Sequence, residues 1–382
     1  MTGTPETTPV IAGYVRTPFH FAKKGELAKV RPDDLAVVAV KGLVEKTGVN
    51  VDDIEDLLLG CAFPEGEQGI NIARAVALLA GLPKSVAGAT LNRWCASSMS
   101  TIHMAAGAVA TGSGQAYIAG GVESMTRVPM GGFNTMPNPA MDKEDLAAYM
   151  SMGLTAENVA KKYQITREDQ EKFALTSHQK AAKAWEEGKY SEVVPVQTNG
   201  HAVEKDGCIR PDTTLDALAG LKPAFDAEGS VTAGTSSPLT DGATATLVTS
   251  EAYAKANGLT ILAKIKGMAV SGCEPAIMGI GPVPSTQKLL GRHGLSVSDI
   301  DLFELNEAFA SQSIAVARDL AIPDEKINID GGAIALGHPL GASGARVTGK
   351  AAMLLGREGK KFAVSTLCVG GGQGVSTLLE AV

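Results

Sequence analysis

Apolar positions recur at helical spacing in "PDDLAVVAVKGLVEKT", Pro32–Thr47, with polar residues between them. The pattern predicts an amphipathic helix that stops at Gly48. It then changes to "DLLLG", Asp56–Gly60, a short unbroken apolar run of the kind a buried strand makes. The same succession returns late in the chain, as "PSTQKLLGRH" from Pro284 and then "DLFEL" from Asp301. The linking stretches, "GVNVDDIEDLLLG" from Gly48 and "GLSVSDIDLFELN" from Gly294, lie 246 residues apart. They share Gly, Val, Asp and Ile at the first, fourth, sixth and seventh positions. The next elements repeat as well. Asn92 precedes Cys95, a helical stretch through Ala110, the strand pattern "QAYIAGG" and a turn. Asn328 precedes "GGAIALGHPLGASGARV", a helical stretch through Leu355, the strand pattern "KFAVSTLC" and "VGGGQG". Four elements in one order, twice, predict a duplicated βαβ-type unit in an α/β protein.

Between Val122 and Gly242 the texture differs. "TRVPMGGFNTMPNPAMDKED", Thr126–Asp145, is rich in Pro, Gly, Met and Asn and predicts an irregular loop. Helical periodicity comes next, from Thr155 to Lys189, with a capping-type "TRED" at Thr166–Asp169. Apolar strand character returns in "TAGTSSPLTDGATATLVTS". The expected division is residues 1–121 as a first half completed by 243–265, an insertion over 122–242, and residues 266–382 as a second half.

The chain has 382 residues, more than one core usually serves, which agrees with two core units. Its 44 glycines suit close helix–strand packing. A net charge of −7 supplies no field for nucleic acid or an anionic membrane. The start, "MTGTPETTPV", lacks the basic flank and apolar core of a signal peptide, and no apolar run is long enough to span a bilayer. The C-terminal "LLEAV" is no peroxisomal tripeptide. The five cysteines are scattered and none has CxxC spacing, so a reducing compartment, the cytoplasm, is expected, with no zinc site.

Three residues stand where chemistry is feasible. Cys95 sits where a helix begins, and orphan N–H groups with the positive dipole end favour a thiolate there. His338 lies among glycines in "GHPLGASGAR". Cys368 ends a strand and precedes three glycines in "CVGGGQG". Equivalent loops of two halves would meet near the duplication axis and assemble a nucleophile, a base and an acid. Cys61, Cys208 and Cys273, and His20, His103, His178, His201 and His293, have no such context and are read as core or surface residues. Asn306 in "ELNEAFA" can be read as a cap on a helix starting at Glu307.

Four separated blocks, "NRWCASSM", "VTAGTSSPLTDGA", "NEAFA" with "GGAIALGHPLGASGAR", and "CVGGGQG", resemble the thiolases in identity, order and spacing, over nearly the whole chain. The resemblance implies an α/β thiolase fold: a duplicated, five-layered αβαβα architecture with an inserted loop domain over the active site. It implies acyl-CoA C-acyltransferase activity through an S-acyl-cysteine, with coenzyme A as substrate and no cofactor or metal. It implies Cys95 as nucleophile, His338 as its base, Cys368 as the second acid/base, and Asn306 as holder of a water in one oxyanion hole. The N–H groups of Cys95 and Gly370 would form the other hole. Ser237 resembles the serine at the pantetheine arm and Arg210 the arginine near the CoA nucleotide. Homodimers or homotetramers, and a hydratase–dehydrogenase partner, are family expectations.

The acyl tail should lie under the insertion, against Tyr149, Met150, Met152 and Leu239, with Met278 from the second half; Phe309 of "NEAFA" is placed with them. Short-chain acetoacetyl thiolases commonly read "CGSG", "HMG" and "NAS" where this chain reads "CASS", "SMG" and "TSS". The degradative 3-ketoacyl subtype is therefore expected. The alternatives are a short-chain acetoacetyl-CoA thiolase and an idle acyl-CoA-binding subunit. A decarboxylating ketosynthase is disfavoured, because Asn306 stands where a second histidine would be needed.

Overall fold

The computed structural model describes residues 4–142 and 144–382. Among them, nine strands lie along one path: β1 (Pro9–Arg16), β2 (Ile54–Gly60), β3 (Ala87–Leu91), β4 (Ala116–Ser124), β5 (Thr240–Ser250), β6 (Ala263–Gly272), β7 (Leu302–Leu305), β8 (Phe362–Val369) and β9 (Gln373–Glu380). Their order is β7-β8-β9-β6-β1-β5-β4-β2-β3, with the two-residue strand His20–Phe21 against β5. The first half runs from β3 to β1 and the second from β6 to β7. Within the sheet, among the described residues, they pair at Val10–Lys264 and Ile11–Ala263. In each half a parallel pair, β2–β4 or β7–β8, leads into antiparallel strands.

The main helices are α1 (Pro32–Thr47), α2 (Ile72–Leu79), α3 (Ser97–Ala110), α4 (Met152–Lys162), α5 (Arg167–Glu186), α6 (Pro282–His293), α7 (Ala310–Leu320) and α8 (Leu340–Glu358). Three apolar clusters define the layering. Leu35, Leu43 and Val76 of α1 and α2 pack on Leu57, Ile118 and Leu247. Ile102 and Val109 of α3 and Ala352 and Leu355 of α8 lie between Leu58 and Val248 on one side and Ala363 and Leu379 on the other. Leu289 of α6 and Val316 and Leu320 of α7 pack on Phe303, Val364 and Leu378. The result is the expected αβαβα stack, with α3 and α8 at its centre.

The repeat seen in the sequence is a repeat of local structure. Pro32 opens α1, Asp33 and Asp34 favour its positive end, and Gly48 closes it in the left-handed conformation. Gly294 closes α6 in the same way. A short turn then precedes the strand in both copies, at Val51–Asp53 and Val297–Asp299. The expected domain boundaries at 121, 242 and 265 fall inside β4, β5 and β6. Turn-forming Gly and Ser residues sit within these strands, so composition marks their ends early or late. β6, though expected partly in the first half, pairs along its length with β9 of the second. In the insertion, α5 opens on a capping box between Thr166 and Asp169, as "TRED" predicts. Among the described residues no helix is long and apolar enough to cross a membrane.

Small residues let the two central helices touch. A Cβ on Gly344 of α8 would fall 2.3 Å from the Met99 nitrogen of α3. Gly107, also on α3, would meet nothing within 4 Å. Gly344→Ala should therefore cost about 1–3 kcal/mol by overpacking. Gly107→Ala should be neutral or gain up to about 1 kcal/mol in helix propensity. Melting temperatures of the two variants check the contrast; equal shifts would mean the α3–α8 contact is looser than described.

Candidate active site

Cys95 lies in the tight turn Trp94–Ala96 that feeds α3. Trp94 adopts φ 41°, an unusual conformation for an aromatic residue. Side chains hold it there: Asn92 Oδ1 accepts from the Trp94 N–H at 2.8 Å, and the Ser97 hydroxyl donates to the Trp94 carbonyl at 2.6 Å. The Trp94 ring packs on the glycine turn after β8. A Cβ on Gly371, which is at φ 73°, would fall 2.6 Å from that ring, so this position needs glycine on both counts. The turn brings Gly370 beside Cys95.

His338 is 5% exposed. Its Nε2 lies 3.3 Å from the Asn306 amide nitrogen and its Nδ1 2.5 Å from the Ser343 hydroxyl. Asn306 Nδ2 can only donate, so Nε2 is the acceptor and the ring proton sits on Nδ1, donated to Ser343. The Thr240 hydroxyl accepts from the His338 N–H at 3.0 Å. Asn306 is fully buried at the end of β7, and its Oδ1 has no partner among the described residues. Helix α7 begins at Ala310 with Phe309 at its cap position, so Asn306 caps nothing.

Burial dominates the electrostatics. It pushes the Cys95 thiol up to about 12, although the N–H groups of Gly370 and Cys95 itself favour the anion; the charge of Glu123 adds to the rise. Burial thus opposes the helix-mouth thiolate expected from the sequence. Burial, aided by the Arg346 charge, lowers His338 to about 3. Burial also raises Cys368 well above the ordinary thiol range, and the neighbouring Cys95 raises it further. Cys368 is thus held as a neutral thiol rather than poised near neutrality.

The expected site residues converge. Cys95, His338, Ser237, Met152, Leu239, Met278 and Phe309 line one cavity of about 100 Å³. The Ser237 N–H donates to the Ala308 carbonyl at 2.9 Å, tying the end of the insertion to the Phe309 segment. Cys368 packs behind that wall against Met278, Ala308 and Phe309. Arg210 lines a small adjoining cavity that shares Ser236 and Pro238 with the first. A larger cavity, about 370 Å³, opens from Cys95 past Gly370, Trp94 and Phe63 to Met130, Tyr149 and Met150. The wall expected for one tunnel is therefore divided. Tyr149 and Met150 face the larger cavity, Leu239 and Met278 the smaller, and Ser151 and Met152 both. Sequence patterns do not single out Ser343, Trp94, Phe63 or Met130. Ser343 left a signal as a hydroxyl five residues beyond the histidine, and Trp94 as a member of the "NRWCASSM" block.

The arrangement presents a buried thiol, a neutral imidazole whose Nε2 carries no proton, a second thiol, and backbone donors at a glycine turn. It suits nucleophilic attack on a carbonyl and then proton delivery.

Residues 9–252 match the family described as "Thiolase, N-terminal domain" and residues 259–381 the one described as "Thiolase, C-terminal domain". A relative named "3-ketoacyl-CoA thiolase" from Aliivibrio fischeri (strain ATCC 700601 / ES114) is 50% identical, over 97% of this chain and 98% of its own length. A relative of the same name from Bacillus subtilis (strain 168) is 47% identical over 97% and 98%. The structure titled "Crystal structure of the Bacillus anthracis acetyl-CoA acetyltransferase" is similar with a TM-score of 0.91 and 40% identity, covering 98% of this chain and 99% of that one.

Proposed function

The chain belongs to the thiolase family, and from that premise we infer that it is an acyl-CoA C-acyltransferase that cleaves 3-ketoacyl-CoA with coenzyme A. The observation that carries this reading is the joint burial of Cys95 and His338 in one cavity, with Cys368 packed behind it. His338 Nε2 takes the Cys95 proton as sulfur attacks C3 of the substrate. The C2–C3 bond breaks and its electrons form the acetyl-CoA enolate. Once protonated, His338 Nε2 can donate to that oxygen, and the Asn306–His338 contact, with Asn306 Oδ1 unpartnered among the described residues, supports a water held there as the second donor. Cys368 gives its proton to C2, releasing acetyl-CoA. A CoA thiol then yields its proton to Cys368 as its sulfur attacks the acyl carbon, in the hole supported by the Cys95 and Gly370 N–H groups. Cys95 leaves and recovers its proton from His338. The thioester itself makes the α-proton acidic, so the chemistry calls for no metal or electron sink. The test is loss of the acetoacetyl-CoA enolate absorbance on adding enzyme and CoA; an idle acyl-CoA-binding subunit would show none.

The pantetheine arm fits the route from Arg210 past Ser236 and Ser237, and the acyl tail fits the larger cavity, whose Phe63, Trp94, Met130 and Met150 are apolar and partly adaptable. This favours the degradative subtype over the short-chain one, and a place in fatty-acid breakdown. Each buried methylene contributes about 0.8 kcal/mol, roughly fourfold in binding. The ratio kcat/KM should rise from the four-carbon to the six- and eight-carbon 3-ketoacyl-CoA, mainly through KM. Ser151 borders both cavities, so Ser151→His should lower activity on the longer substrates more than on acetoacetyl-CoA. A profile that peaks at acetoacetyl-CoA would instead leave the short-chain reading standing.

Assembly as a homodimer or homotetramer is supported by β3 at the end of the sheet path and by the neighbouring exposed Ile70, Leu78 and Leu79. Light scattering tests it. Five free cysteines support a reducing, cytoplasmic location. A hydratase–dehydrogenase partner would supply the 3-ketoacyl substrate.

A further inference from the structure

Strand β4 is buried throughout and uncharged until Glu123. A carboxylate in such a place is costly unless donors surround it. Here they do. Glu123 Oε2 accepts from the N–H of Ala62 at 2.8 Å and of Gly341 at 2.9 Å. Oε1 accepts from the Phe63 N–H at 3.2 Å and the Gln68 amide at 2.8 Å, and the Cys61 thiol donates to it at 3.5 Å. Every partner is a donor, so the niche suits a group that only accepts. Ala62 and Phe63 belong to the first half, whereas Gly341 lies in the first turn of α8 in the second. That helix start carries no side-chain cap of its own. Glu123 supplies from the opposite half the anion that a helix N-terminus favours. Gly341 is three residues from His338, and Ser343, which holds His338 Nδ1, is two further on. The approach is tight: a Cβ on Gly341 would fall 2.7 Å from the Cys61 Cα.

We propose that Glu123 is a positioning residue: by tying Gly341 to Ala62 across the seam between the halves, it sets His338 in register with Cys95. The proposal rests on the reading of Cys95 and His338 as nucleophile and base. None of the bond-making steps uses Glu123, and it lies outside the lining of the cavities that meet at Cys95.

Three variants test it. Glu123→Gln keeps the shape but presents an amide N–H₂ to one set of donors. Glu123→Asp keeps the charge but retreats by one methylene. Gln68→Ala deletes a donor to the same carboxylate and leaves the Gly341 bond intact. Both Glu123 variants should lose about 10- to 100-fold in kcat, because a small misplacement of a catalytic group costs that much. Their KM should stay within about twofold of wild type, since the groups that line the substrate cavities are unchanged. Gln68→Ala should keep wild-type kcat even where its melting temperature falls as far as theirs. If Glu123→Gln does not fold, Glu123→Asp carries the test. Wild-type kcat in a folded Glu123 variant, or a kcat loss in Gln68→Ala that tracks its loss of stability, would overturn the proposal. The wild-type protein is assayed first on acetoacetyl-CoA and a longer 3-ketoacyl-CoA; inactivity there would refute the underlying function instead.

Discussion

Cys95→Ser protein should lose thiolysis by a factor on the order of 10⁴ to 10⁶, the usual cost of removing a nucleophile from a unit that acts together. The reason lies in the starting state of the pair. Burial holds the Cys95 thiol at about 12 and His338 at about 3, so both are neutral at rest. The thiol proton must move as the sulfur attacks. A weak imidazole base can assist a thiol in that way, but it does far less for a hydroxyl, which is a poorer acid and a poorer nucleophile. The result is checked by brief incubation with an acyl-CoA, proteolysis and mass spectrometry. The wild-type adduct is expected on the peptide holding Cys95, and the serine variant should carry none. An adduct on Cys368 alone would assign the nucleophile to the wrong half of the molecule.

Cys368→Ser separates the two half-reactions. The variant should still acylate Cys95, more slowly, because His338, Asn306 and the Gly370 turn are unchanged and CoA can leave as a thiolate without the Cys368 proton. It should lose proton exchange at the methyl group of acetyl-CoA by about 10²- to 10⁴-fold, the range typical of a general acid–base group. The thiol is neutral in its buried niche and adjoins Met278 and Phe309 of the cavity wall, which suits it to deliver a proton. His338→Ala should show the opposite pattern, with acylation itself impaired. Isotope exchange from deuterated water, read by mass, distinguishes them. Near wild-type exchange in Cys368→Ser would place the acid/base function elsewhere.

Much of this site was legible because its chemistry sits on local patterns. The repeated Gly-Val-Asp-Ile stretch marks a helix stop, a turn and a strand start, all set by neighbours in sequence. The Thr166–Asp169 cap is likewise local. The protonation of Cys95 was not legible, because a helix mouth argues for a thiolate and only the packed structure reveals the stronger effect of burial. Glu123 escapes a sequence reading since its partners Ala62, Gln68 and Gly341 are far from it in the chain. Its one trace is a lone charge ending the apolar run "AYIAGGVES". The division of the tail wall into two cavities depends on how the insertion folds back onto Phe309, which periodicity does not encode.

The sheet path has a consequence for how the chain is made. Strand β1 leaves the ribosome well before both of its neighbours, β5 and β6, which are synthesised only after residue 239. At about 5–20 residues per second, β1 waits on the order of 10–50 seconds with both edges unpaired. Strand β4 likewise has one edge open until β5 arrives across the whole insertion. Unpaired apolar edges are templates for pairing with other chains. Slower initiation, lower growth temperature or added chaperone during expression should therefore raise the yield of folded protein more than any change to the mature surface.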